Sequence, residues 1–316
     1  MKHLIASTIL MGALTAPLAA QAADYTIMAP AGPGGGWDQT ARSMQEAMQT
    51  EGISGNVQVV NVPGAGGTIG LAQFAQQAAG NPNQLLVGGY VMVGAILTNN
   101  SPVTLDAVTP IARLTGEYEV IVVPAASPLE SLADLVAALK ADPGAVSWAG
   151  GSAGGTDHIT AGLFAKAAGV DPTKVNYVAF SGGGEALAAV LGSQVSVGIS
   201  GYGEFQAQIE AGALRVLGIS SADRVAIVDA PTFKEGGVDV VVMNWRMIAA
   251  GPGLSEEQVA AIDADIEKMV NSASWKTTLE TKGWENTYLA GADFRAQLAT
   301  EIEATTAILK EVGLVQ

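Results

Sequence analysis

Four times along this chain a short apolar run breaks into a glycine-rich segment that opens an alanine-rich one. The junctions are Ala31-Gly32-Pro33-Gly34-Gly35-Gly36-Trp37-Asp38, Pro63-Gly64-Ala65-Gly66-Gly67-Thr68, Gly150-Gly151-Ser152-Ala153-Gly154-Gly155-Thr156 and Ser181-Gly182-Gly183-Gly184. Repeated strand–loop–helix units of this kind commit a chain to an α/β fold with mainly parallel strand pairing. In open α/β sheets the ligand sits beyond the carboxyl ends of the strands, where all four junctions fall. Glycine lets backbone come close to a ligand, and a helix N-terminus aims free N–H groups and a positive dipole end at it. The pattern therefore predicts a pocket for an anion, gripped from several sides by backbone.

The units are legible one by one. Tyr25 to Ala29, Val57 to Val62 and Leu85 to Gly89 read as strands. A helix after Asp38 carries Ala41, Met44, Ala47 and Met48 on one face, with Asp38 as its N-cap. The helix after Thr68 shows Ala72, Ala75 and Ala79. Val91 to Leu97 and Ile111 to Leu114 are apolar but irregular. Val120 to Val123, ending at Pro124, reads as a crossing into a second unit. There a helix (Ser131 to Lys140), a strand (Ala145 to Ala149), a helix with Ile159, Leu163 and Ala167 in line, a strand (Val175 to Phe180), a helix (Glu185 to Leu191) and a strand (Val195 to Ser200) follow. Leu214 to Ile219 reads as the return. The tail holds a strand near Val238 to Met243 and two amphipathic helices, about Ser255 to Ser272 and Ala292 to Val312, which complete the first lobe. The expected division is residues 23–122 with 224–316 in one lobe and 123–223 in the other.

The N-terminus reads as an export signal. Met1-Lys2-His3 is a short positive start, Leu4 to Leu14 is apolar, and Pro17 precedes Ala20-Gln21-Ala22, a small-x-small ending that places cleavage after Ala22, with Ala23 as the next choice. The apolar stretch is shorter than the roughly 20 residues that span a bilayer, which disfavours an anchor. Losing residues 1–22 removes Lys2 and His3, makes the formal charge of −15 one unit more negative, and leaves His158 as the single histidine. Such acidity speaks against nucleic acid as a partner. With no cysteine in the chain, disulfides and thiolate metal sites are excluded. An acidic protein that binds an anion must make its positive potential locally, and helix N-termini do so without net charge.

Catalytic motifs fail one at a time. Gly150-Gly151-Ser152-Ala153-Gly154 matches the G-x-S-x-G nucleophile elbow. The only histidine available to take the Ser152 proton is His158, on the helix that the elbow itself opens, and it would point away from the serine. Ser152 reads better as a hydrogen-bonding group for a ligand. The phosphate-binding G-x-x-x-x-G-K-[ST] pattern is absent, and Trp37 and Ile69 stand where a dinucleotide fingerprint needs glycine. Beyond Asp38 and Asp157, which read as helix caps, no carboxylates cluster near the loops, so no metal site and no cofactor are expected. Trp37 is either a pocket wall or a core contact, Tyr202 either closes the pocket or packs, and Arg42 reads as a solvated helix position.

The junctions also resemble a known family. Pro30 to Asp38 followed by Ala41-Arg42 is similar to the opening loop of the substrate-binding proteins of tripartite tricarboxylate transporters, the Bug-type receptors. Asn61-Val62-Pro63-Gly64-Ala65-Gly66-Gly67-Thr68-Ile69-Gly70 resembles their second hallmark. Gly151-Ser152 through Thr156-Asp157-His158 is similar to the third segment, and Ser181 to Leu187 with Leu191 to Val195 to the fourth. Ala211 to Arg215 and Pro231-Thr232-Phe233 through Gly236 continue the likeness, which spans the chain after the signal.

That resemblance implies a two-lobed periplasmic binding protein of type II. It would be a monomer that closes on a small carboxylate and hands it to the membrane permease subunits of the transporter. The Gly-Gly-Gly-Trp-Asp form looks closest to the tricarboxylate-receptor branch. The implied ligand contacts are Gly32, Gly34, Gly35, Gly36, Trp37 and Asp38 in the first loop and Ala65, Gly66, Gly67 and Thr68 in the second. Ser152, Ala153, Thr156, Ser181, Gly182 and Gly183 follow from the other lobe, with Ser200, Gly201 and Tyr202. Many relatives carry an aspartate just after the strand that ends here at Ser200-Gly201-Tyr202, and its absence favours a purely anionic solute. Two other functions stay open at this point: an exported hydrolase using Ser152, and a carboxylate sensor that feeds a signalling system.

Overall fold

A computed structural model describes residues 23–316. The expected export signal, residues 1–22, lies outside the described residues. Strands and helices alternate as β1 (Tyr25–Ala29), α1 (Gly36–Thr50), β2 (Val57–Asn61), α2 (Thr68–Gln77), β3 (Gln84–Gly89), α3 (Tyr90–Thr98) and β4 (Thr109–Pro124). They continue as α4 (Leu132–Ala141), β5 (Ser147–Gly150), α5 (Thr156–Ala167), β6 (Asn176–Ala179), α6 (Gly183–Leu191), β7 (Val197–Gly201), α7 (Tyr202–Glu210) and β8 (Leu214–Ile219). The tail is β9 (Met243–Ala250), α8 (Glu256–Asn271), α9 (Ala273–Lys282), β10 (Glu285–Ala290) and α10 (Gly291–Glu311). None of the described helices is long and apolar enough to cross a membrane.

The fold is two-lobed. β2-β1-β3 are parallel in one lobe and β6-β5-β7 are parallel in the other, as strand–helix–strand crossovers require. Between these triplets run strands of opposite sense. β9 lies antiparallel between β3 and β4, and β10 and β8 pair antiparallel with β4. β4 is the shared strand. Its first part, up to Tyr118, pairs with β9, and from Glu119 it pairs with β7 while Val120 to Pro124 pair with β8. The β-branched run Val120 to Val123, buried throughout, suits a strand enclosed on both faces.

Helix faces from both sides of the fold join one large hydrophobic core. α1 buries Ala41, Met44, Ala47 and Met48 on β1 and β2, the stripe the sequence predicts. In α2 the larger side chains Leu71 and Phe74 take the core, with the C-cap residue Ala78 buried in line, one position before the alanines expected there. In α5 the inward face holds Ile159, Thr160 and Phe164, while Ala167 is exposed.

Four further segments differ from expectation. Val91 to Leu97 is the body of α3. The tail strand begins only at Met243, because its partners on β3 and β4 lie opposite Met243 to Ala250; Val238, Val240 and Val242 still pack inward from an irregular segment. α9 and β10, between the two anticipated tail helices, have no counterpart in the sequence reading. Lastly, α1 starts at Gly36 with Gly35 as its extended N-cap, which puts Asp38 inside the first turn rather than at the cap.

Candidate functional site

All four glycine junctions meet between the lobes. Loop geometry explains why they are so rich in glycine. Gly64, Gly66 and Gly67 all have positive φ, and a Cβ on Gly67 would run into the Trp37 indole, 2.6 Å from Cζ3. Across the interface, the Gly154 carbonyl lies against Gly94 of α3, where any side chain would overlap it. The Gln39 side chain donates to the Gly203 carbonyl at 3.3 Å, and the Thr98 hydroxyl donates to the Ala153 carbonyl at 3.4 Å. The lobes are in contact around a partly open cavity of about 50 Å³. That is room for a small group of waters, at roughly 10–15 Å³ each.

The cavity is lined from one lobe by Gly35, Gly36, Trp37, Gly66 and Gly67, and from the other by Ser152, Ser181, Gly182, Gly183 and Ser200. These expected contacts are brought together. Ala65 and Ala153 line a shallower hollow beside it. Gly32, Gly34, Asp38, Thr68, Thr156, Gly201 and Tyr202 stand outside the lining. Thr68 turns its hydroxyl back onto the Ala65 carbonyl at 2.9 Å, closing its own loop. Thr156 is fully buried, Tyr202 packs into the core of the second lobe, and Gly201 lies against the Glu117 carboxylate.

Much of the positive potential of the loops is already engaged by the chain's own acids. Asp38 accepts from the Gly34 amide at 2.8 Å, from Asn61 Nδ2 at 2.9 Å and from Arg42 Nε at 3.0 Å. Burial opposes charge on Asp38, yet Arg42, Gly34 and Asn61 outweigh it and hold its pKa below the usual carboxylate range. Asp157 accepts from the Gly151 amide at 2.7 Å, and Glu185 from the Ser181 amide at 3.1 Å. Backbone N–H groups therefore shape the loops as much as they offer themselves to a ligand.

Charged side chains supply what the backbone does not, and the sequence reading missed them. On β9, Asn244 and Arg246 face the cavity; on β4, Glu117 stands opposite Asn244 in register. Arg246 is almost wholly buried and forms an ion pair with Glu117 through Nη2, while its Nη1 has no protein partner. Glu117 also accepts from Trp284 Nε1 at 2.9 Å, and the guanidinium carbon of Arg246 sits 4.9 Å from the centre of that indole ring. Asn244 Oδ1 likewise lacks a partner. The signal was present in the sequence. A lone arginine inside the apolar run Met243 to Ala250, and two acids spaced by two in Glu117-Tyr118-Glu119, put charge on the buried face of strands.

Carboxylates do cluster here, against expectation. Glu117, Glu119, Asp157 and Glu204 gather under the loops. Burial holds the Glu119 pKa well above the usual range, aided by Asp157, Glu117 and Glu204, and both of its carboxyl oxygens are buried without a hydrogen-bond partner. Burial raises Asp157 to about 6 against the pull of the Gly151 amide. Glu204, in the first turn of α7, lines the cavity itself. The absence of an acid at Ser200-Gly201-Tyr202 thus does not leave the pocket free of acids. Among the described residues no three His, Cys, Asp or Glu side chains are placed to hold a metal ion.

Ser152 has no catalytic partner. The ring of His158 stacks on Tyr177 at 4.1 Å, and its Nδ1 accepts from the Gly154 amide at 3.2 Å. Burial lowers its pKa to about 4, so it is a neutral strut for the third loop.

A family model described as the tripartite tricarboxylate transporter family receptor matches residues 40–314. The chain belongs to that family. Its members are substrate-binding receptors of the periplasm, not enzymes. Protein BugT of Bordetella pertussis (strain Tohama I) is 28% identical over 308 residues, covering 95% of this chain and 93% of BugT. Among solved structures, the periplasmic binding protein BugD superposes with a TM-score of 0.84 at 22% identity, over 92% of this chain and 98% of its own. MatC (Rpa3494) from Rhodopseudomonas palustris with bound malate gives 0.80 at 24% identity, over 90% and 98%. These similarities establish the periplasmic binding protein fold for this receptor.

Proposed function

We propose that this receptor binds a small, citrate-like di- or tricarboxylate and delivers it to the permease subunits of a tripartite tricarboxylate transporter after export to the periplasm. The observation that carries the reading is Arg246: a buried guanidinium with one unpartnered nitrogen, on the wall of a cavity ringed by glycine loops from both lobes. A carboxylate seated there gains a charge-assisted hydrogen bond in a largely buried site. The amides of Gly36, Gly66, Gly182 and Gly183 and the hydroxyls of Ser152, Ser181 and Ser200 are the other contacts we assign to it, while the Gly35 and Gly67 amides donate to the Gly32 and Gly64 carbonyls of their own turns. The malate carried by MatC is a ligand of this class.

In this reading the lobes are residues 23–122 with 224–316 and residues 123–223, and they close on the ligand as a hinge. Thermal unfolding against citrate, tricarballylate, malate, succinate and aromatic acids tests the ligand class. At least one di- or tricarboxylate should raise the melting temperature in a concentration-dependent way. No shift with any of them counts against the reading.

A further inference from the structure

Glu204 has no role in the proposal so far, yet it holds the most conspicuous position in the cavity. Its carboxyl lies between the N-termini of α1 and α6, which belong to opposite lobes. Oε1 would stand 3.0 Å from a Cβ at Gly36, and Oε2 lies so close to Gly183 that no side chain fits there. Oε2 is buried without a hydrogen-bond partner. The groups facing it are Glu117 and Glu119 from β4, Asp157 from α5 and Arg246 from β9. Lys282, at the end of α9, lies beyond them, 5.3 Å from the centre of the Trp284 ring. Four acids thus surround one arginine that is already paired with Glu117. An ionised Glu204 would add uncompensated negative charge to a buried site prepared for an anion.

We propose that Glu204 is a specificity-determining residue of the carboxylate site: it stands there as a neutral carboxyl and donates its hydrogen to a carboxylate oxygen of the ligand, so that anion and proton occupy the cavity together. The inference rests on the proposed ligand class and deepens it. Arg246 Nη1 and Glu204 are then the two side-chain donors, one charged and one neutral, that a carboxylate meets. Burial, with Glu117 and Asp157 nearby, raises the Glu204 pKa to about 8 against the pull of Arg246 and the Gly183 amide. A carboxyl with that pKa is a donor near neutral pH. A bound carboxylate raises it further, and by linkage the proton tightens the anion.

Titration calorimetry of the wild-type protein with malate, succinate, citrate and tricarballylate from about pH 7 to 9.5 tests this, since the ligands' own carboxyls are ionised over most of that range. Affinity should fall above about pH 8, approaching tenfold per pH unit. In buffers of different ionisation enthalpy, binding near pH 8.5 should take up more than about half a proton per ligand. Glu204→Gln, which keeps an N–H donor, should bind without that fall. A flat wild-type profile with no proton uptake overturns the inference while leaving the ligand class standing. Affinity that rises with pH, together with loss of binding in Glu204→Gln, also overturns it, because Glu204 would then be an ionised acceptor for a donor on the ligand. If none of the four acids binds at any pH, the ligand class fails as well.

Discussion

Gly36 and Arg246 fit against one another so tightly that a Cβ on Gly36 would overlap the guanidinium, coming within 2.9 Å of Cζ and closer still to Nη2. The first residue of α1 and the buried cation of β9 are thus matched parts of one site. Arg246 cannot swing aside freely, because Nη2 is paired with Glu117 and the ring of Trp284 lies beside it. Gly36→Ala should therefore weaken carboxylate binding by about tenfold or more and destabilise the fold by roughly 1–3 kcal/mol, the usual range for overpacking. Denaturant unfolding and calorimetry read the two effects separately. An alanine variant with unchanged affinity would show that Arg246 is not held where the cavity needs it.

Removing Arg246 alone strands a buried acid. Arg246→Met should cost about 3–5 kcal/mol, since Glu117 keeps only Trp284 as a partner. The double variant Arg246→Met with Glu117→Gln should recover most of that stability. Urea unfolding of the three proteins checks the expectation. Equal loss in the single and double variants would mean that packing of the arginine, not its charge, supports the lobe interface.

Stability should fall as pH rises. The Glu204 pKa is raised to about 8 and that of Asp157 to about 6, both above their unfolded values near 4. Acids raised in the folded state contribute stability that is fully present below the unfolded pKa and lost as pH climbs through the folded one. The ligand-free protein should therefore melt at a higher temperature near pH 5 than near pH 9, with the loss concentrated between about 4.5 and 8. Glu204→Gln should remove the upper part of that loss, which separates it from general repulsion in a chain of formal charge −15. Asp38, whose pKa is lowered, acts only at still more acidic pH. A melting temperature that climbs toward pH 9 would contradict this.

Ser152→Ala should lower carboxylate affinity by less than about tenfold, the worth of one neutral hydrogen bond. Neither it nor the wild type should turn over nitrophenyl esters, because His158 is committed to Gly154 and Tyr177. Steady ester hydrolysis that vanishes in the alanine variant would reopen a catalytic role.

The local features of this molecule were the legible ones. Glycine junctions such as Gly64 to Gly67, and stripes such as Ala41, Met44 and Met48, declare themselves over short stretches of sequence. They locate the cavity rim and the helices behind it. The cavity wall was hidden because it is made by register: Arg246 meets Glu117 only when β9 pairs with β4, 129 positions away in sequence. Nothing local marks Glu204, because its place is set by α1 and α6, which meet over its carboxyl from opposite lobes. Asp38 was placed one turn-start too late because Gly36 and Trp37, poor helix openers by propensity, already adopt helical backbone.

The most direct measurement is a calorimetric titration, near pH 7, of citrate and malate into the wild-type protein and into the Arg246→Met, Glu117→Gln double variant. The wild type should show one site with micromolar affinity, about −8 kcal/mol. In the folded double variant, binding should be at least about a hundredfold weaker, the loss expected for a charge-assisted contact with a buried guanidinium. Equal affinity in the two proteins would contradict the assignment of Arg246 as the anchor of a carboxylate site.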